Sequence, residues 1–128
     1  MLDFKKLELN PSEPVYLQIV SFVKRQIFIG TVEQGESLPS RREMAALLKI
    51  NPNTVQKAFR LLEEEGIVVT PPNAVSIIHW DEEIYAAIQK ELTAGLVVDF
   101  VAQAKANELT LDMVMALLKD EWEKGDER

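Results

Sequence analysis

Two helix-start signals stand close together in the middle of this chain. Ser40-Arg41-Arg42-Glu43 has the form of a capping box, in which hydroxyl and carboxylate each satisfy a backbone N–H at a helix start. Asn51-Pro52 supplies an N-cap side chain followed by a proline, whose missing N–H costs nothing in the first turn. The stretch between them has room for one short helix, expected to bury Met44, Leu47 and Leu48, and for a tight turn at Lys49-Ile50. The chain must therefore reverse onto itself. The helix begun at Pro52 is expected to reach Glu65 and stop at Gly66. At about 100° per residue, Val55, Ala58, Phe59 and Leu62 share one third of its circumference. Asn53, Gln56, Lys57 and Arg60 gather on the opposite side.

The flanks complete a pattern. The first ten residues carry no clear period, and Pro11-Ser12-Glu13-Pro14 opens a helix with Pro14 suited to its first position. Val15, Ile19, Val23 and Ile27 recur every fourth residue up to Gly30, and Thr31 to Leu38 reads as a connection. After Gly66 the period shortens. Ile67-Val68-Val69-Thr70 and Val75-Ser76-Ile77-Ile78 are β-branched runs on either side of Pro71-Pro72-Asn73-Ala74, a hairpin pattern. Asp81 caps a long helix continuing to about Ala106, with Glu82 and Glu83 in its first turn. Asn107 to Thr110 is a break, Thr110 caps a last helix, and residues from Lys124 onward are expected to fray. The predicted fold is mostly α with a small β-hairpin. An N-terminal winged helix-turn-helix domain spans 11–80, and a two-helix region spans 81–124.

Charge narrows the function. The net charge is −7, yet residues 1–80 hold nine basic and nine acidic side chains, and 81–128 hold five and twelve. From Arg41 to Arg60 there are five bases (Arg41, Arg42, Lys49, Lys57, Arg60) against Glu43 alone. A local basic patch is what phosphate contacts need, because counterion release occurs at the interface. Asn and Gln pair with adenine edges, and Lys and Arg with guanine or phosphate. A helix inserted N-terminus first would bring Asn51, Asn53 and Thr54 to the groove floor. An enzyme is the weakest class, with no cysteine, one histidine (His79, read as structural), no phosphate-binding glycine loop and no nucleophile elbow. No cofactor or metal is implied. The absence of cysteine and of any long apolar run fits a cytoplasmic protein that does not cross a membrane.

At this point the chain resembles a known family. Leu38-Pro39-Ser40-Arg41-Arg42-Glu43-Met44-Ala45 is similar to the LPSxRxLA opening of the GntR regulators. Asn51 to Phe59, then Leu62-Glu63-Glu64-Glu65-Gly66-Ile67, resembles that family's recognition helix and exit, with NPNTVQKA especially similar to the YtrA subfamily. Pro14-Val15-Tyr16-Leu17-Gln18-Ile19 is similar to its first helix. The resemblance covers about residues 11–70. It implies a DNA-gripping role for Arg42, helped by its neighbours Ser40 and Arg41, and base or phosphate contacts for Asn51, Asn53, Thr54 and Gln56. Lys57 and Arg60 join this set from the helical wheel, as phosphate contacts. The resemblance further implies a repressor, with double-stranded operator DNA as partner and no large ligand-binding domain. Nothing in these residues identifies a small-molecule effector.

The hairpin departs from the family pattern. Where GxGTFV is usual, the chain has Thr70-Pro71-Pro72-Asn73-Ala74-Val75-Ser76, without glycine, so either Asn73 is the remaining reader on an altered wing or the wing makes no DNA contact. In the last third, Ile84, Ile88, Leu92, Leu96 and Phe100 on one helix, and Leu111, Met115, Leu118 and Trp122 on the next, form apolar faces. So short a segment hardly covers them alone. A homodimer joined there is expected, matching a pseudo-palindromic operator, the alternative being that these helices fold back on their own DNA-binding domain. The alternative reading is a winged helix used for protein contact, with DNA binding reduced or lost.

Overall fold

A computed structural model describes residues 2–126 of the chain. Helix α1 spans Val15–Ile29, α2 Arg41–Leu48 and α3 Pro52–Glu64. Strands β1 (Val68–Val69) and β2 (Ile77–Ile78) follow, then α4 (Glu82–Ala106) and α5 (Leu111–Asp126). The predicted class, mostly helical with one small hairpin, is the observed one. The chain forms two compact bodies divided between Lys90 and Glu91, within α4.

In the first body the local signals do what their chemistry dictates. Ser40 Oγ accepts from the Glu43 N–H at 3.1 Å and opens α2. Lys49 takes the left-handed conformation (φ 58°) that turns the chain. Asn51 Oδ1 accepts from the Asn53 N–H at 2.8 Å, with Pro52 in the first turn of α3. Gly66 (φ 77°) ends the α3 exit in the left-handed region, where any L side chain would be strained. Helix α3 packs against both α1 and α2, and Val55, Ala58, Phe59 and Leu62 face inward with Ile19, Val23, Ile27 and Met44.

Several details differ from the sequence expectation. Pro14 is the cap residue of α1 rather than its first residue. Leu47, expected inside, is exposed, and Ala45 is buried in its place, because α2 is short and packs one narrow stripe. The N-terminal segment belongs to the core. Phe4, in a 3-10 turn over Phe4–Lys6, is buried with its ring 5.3 Å from that of Phe22. Gln18, nearly buried, closes this segment by accepting from the Asn10 N–H and donating to the Asn10 and Glu13 carbonyls.

The wing has more than a hairpin. β1 and β2 pair antiparallel with Val68 opposite Ile78 and Val69 opposite Ile77. The supposed connection before α2 is extended and paired to the other edge of β2. Gly35 N donates to Ile78 O, Ile78 N to Glu36 O and Leu38 N to Ser76 O, all at 2.9 Å. Hydrophobic period gave no warning of this, since so few residues take part. The reverse turn is closed by Ala74 N donating to Pro71 O, with Asn73 at φ 57°.

The start of α4 belongs to the first body. Asp81 Oδ1 accepts from the Ile84 N–H at 2.8 Å, the expected cap. Gln34 and Trp80 exchange two hydrogen bonds, and the Tyr85 hydroxyl donates to Phe28 O. Ile88, placed by the sequence on a dimer surface, is buried within the single chain at 2 % exposure, which corrects that expectation.

The second body is two helices joined at a left-handed Glu108 (φ 58°), with Thr110 Oγ1 accepting from the Met113 N–H. Helix α5 continues past Lys124 to Asp126, and the rest of the tail expected to fray lies outside the described residues. Among its described residues only Ala104 is a buried hydrophobic. No helix among the described residues is long and apolar enough to cross a membrane.

Candidate nucleic-acid interface

Burial on one side of α3 forces its other side outward. With Val55, Ala58, Phe59 and Leu62 at 1 % exposure or less, Asn53, Lys57 and Arg60 are exposed, and Thr54 and Gln56 are half-exposed. The cap residue Asn51 is exposed at the start of the same helix. These six side chains therefore form one polar face and leading end. Its chemistry is that of base edges and phosphates: amides able to donate and accept together, a hydroxyl and two fixed cations. Arg60 and Arg42 are exposed, and no carboxylate pairs with either among the described residues.

A second cluster is assembled only by the fold. Ser40, Arg41 and Arg42 at the head of α2 line one open groove with Asn73 of the wing tip, Phe59 beneath and Thr70 and Ser76 beside them. The groove has a volume of about 470 Å³. Thr70 and Ser76 hydroxyls share a hydrogen bond of 2.7 Å across the wing. Asn73 stands exposed in the left-handed region, which an asparagine tolerates far better than a β-branched residue. It thus supplies the backbone turn for which a glycine would otherwise be needed. His79 is exposed, and no metal-holding group of His, Asp or Glu occurs among the described residues.

Arg41 differs from its neighbour. Its guanidinium pairs with Glu63 Oε1 at 2.9 Å and lies 4.8 Å from the centre of the Phe59 ring, while its Nε is buried. Arg41 thus ties the head of α2 to the exit of α3. Lys24 of α1, 4 % exposed, pairs with Glu65 at 3.0 Å. Two of the three acids Glu63-Glu64-Glu65, which read as a solvated helix end, therefore carry ion pairs holding α3 to α2 and α1. Tyr16 was also missed. Its ring lies 4.0 Å below the Lys57 ammonium. No sequence signal could have found these pairs, because each joins residues from different helices.

A buried-core three-helix unit with a β wing and an outward polar third helix defines a winged helix-turn-helix DNA-binding protein. Residues 15–74 match the family described as bacterial regulatory proteins, gntR family. The HTH-type transcriptional regulator YhcF of Bacillus subtilis is 33% identical over 118 residues, which is 92% of this chain and 98% of YhcF. The HTH-type transcriptional repressor YtrA of the same organism is 42% identical over 66 residues, half of this chain (50%) and 51% of YtrA. A GntR family transcriptional regulator from Listeria monocytogenes superposes with a TM-score of 0.78 at 28% identity, covering 88% of this chain and 98% of that one. The chain belongs to the GntR family: it is a transcriptional regulator with a helix-turn-helix DNA-binding domain, and it is not an enzyme.

Proposed function

We propose that this protein is a homodimeric repressor that reads a pseudo-palindromic operator through α3. The observation that carries the proposal is the polar face of α3, held outward by a fully buried opposite face. Asn51, Asn53, Thr54 and Gln56 read base edges, and Lys57 and Arg60 bind phosphates beside them. Arg42 and Ser40, at the head of α2, grip the backbone, and Asn73 reaches it from the wing. Arg41 contributes chiefly by bracing α2 against α3, since its guanidinium is already engaged.

The DNA-binding part is residues 11–80, supported by the N-terminal segment and the first turns of α4. The dimerisation part is the remainder of 81–124. Leu92, Leu96, Phe100, Leu111, Met115, Leu118 and Trp122 supply the shared surface, joined less directly by half-buried Ile84. Exposures of 74 % at Leu96 and Leu111 and 78 % at Trp122 support this, because patches of that kind normally mark an interaction surface. Repression is supported by the name of YtrA, a relative over half of this chain.

A second reading, a winged helix used for protein contact, is favoured by one observation. The wing tip is built on Pro71 and Pro72, and proline removes N–H donors from a surface that would meet phosphate. A gel-shift titration against the chain's own promoter at several salt concentrations separates the two. For a DNA reader, log affinity falls with log salt by about 0.9 per phosphate neutralised. Arg42→Ala weakens binding to all sequences, whereas Asn53→Ala costs about 1–3 kcal/mol mainly on the true site. Binding without salt dependence, or equal losses from both variants on specific and random DNA, overturns the assignment.

A further inference from the structure

The Lys57 ammonium is placed before any ligand arrives. Lysine is a flexible four-carbon stem ending in a point charge, and on an open helix face its head samples many positions. Here it sits 4.0 Å from the centre of the Tyr16 ring, within the range of a cation–π contact. Tyr16 lies in the first turn of α1 and is half-buried, and α1 packs directly on α3. The ring is thus a fixed platform supplied by one helix to a cation on another. No carboxylate competes for Lys57 among the described residues.

We propose that Tyr16 is a positioning residue for DNA binding, holding the Lys57 ammonium at the edge of the reading face so that a phosphate meets a preplaced charge. The inference rests on the reading of α3 as the recognition helix and extends the interface to α1. The aromatic face carries the effect, not the hydroxyl. A ring that restrains the ammonium on a solvated surface changes the binding equilibrium by about two- to five-fold. The effect falls on every sequence alike, because the contact is to phosphate.

The test is a double-mutant cycle on the full-length protein, using operator DNA selected from genomic fragments and random duplex of equal length. Wild-type preference for the selected operator is measured first, and its absence would overturn the functional reading itself. Given that preference, Tyr16→Phe is expected to bind as wild type. Tyr16→Leu is expected to lose about two- to five-fold on both duplexes. Lys57→Gln is expected to lose more and to lower the salt slope by about 0.9, one phosphate contact. Within Lys57→Gln, Tyr16→Leu is expected to change nothing further. An undiminished Tyr16→Leu loss in that background overturns the proposal, as does a Tyr16→Phe loss equal to that of leucine. Thermal unfolding of each variant is recorded alongside, and Tyr16→Met replaces the leucine variant should the latter not fold.

Discussion

The first body seals most of its apolar side chains while the second displays most of its own. In residues up to Lys90, Ile19, Val23, Met44, Val55, Ala58 and Ile78 are fully covered, and ion pairs and hydrogen bonds link elements far apart in sequence. From Glu91 onward, Leu96, Val97, Val98, Leu111, Met115, Leu117 and Trp122 are each more than half exposed. Both bodies are built from capped helices, so local structure does not separate them. The difference lies in partnership. Three helices and a wing close a core, and two helices leave both apolar faces open. A body that cannot finish its own core has a use for a second chain, whereas one that can is free to keep its polar face for a ligand.

That contrast can be broken most sharply by charging the open surface. If the proposed dimer forms through this surface, Leu96→Glu combined with Trp122→Glu should convert it to monomer in sedimentation. Operator affinity should then fall roughly 10²- to 10⁴-fold, since the second half-site is no longer tethered. A doubly charged variant that remains dimeric would show that the two heads are joined elsewhere. Arg42→Ala and Asn53→Ala, in the closed body, should weaken DNA binding without changing oligomeric state, by about 1–3 kcal/mol for the proposed base contact of Asn53.

A smaller effect tests the seal of the first body. Glu65→Ala leaves the buried Lys24 ammonium without that carboxylate and should cost about 1–3 kcal/mol in denaturant unfolding. Lys24→Met should cost less, because the half-exposed Glu65 regains water. The reverse order would mean that the pair contributes little to holding α1 on α3. The smallest effect is expected at Gln56→Ala. Its unfolding free energy should stay within about 0.5 kcal/mol of wild type, as for a surface residue outside any network, while operator discrimination drops. A large stability loss there would make Gln56 a packing residue.

Helix starts, ends and faces were legible along the chain because they depend on neighbours a few residues away. The Ser40 and Asn51 caps, the turn at Lys49 and the division of α3 into Val55/Phe59/Leu62 and Asn53/Lys57/Arg60 faces all follow from spacing and side-chain chemistry. The resemblance to the GntR pattern rested on the same local words. Leu47 misled because about two turns of helix have too few positions to define the buried stripe. The third strand-like edge at Gly35–Leu38 was hidden because its partner, β2, lies some forty residues on.

By itself the sequence determined where α2, α3, α4 and α5 begin and which side of α3 is apolar, since capping and periodicity act over one or two turns. Tertiary structure alone decided that Phe4 joins the core and that Ile88 is covered by its own chain. It also decided that Glu63 and Glu65 are braces, that Arg42 and Asn73 share a groove, and that Tyr16 lies under Lys57. The physical reason is common to all of these. A contact between two helices depends on how their faces meet in space, and neither face records its partner.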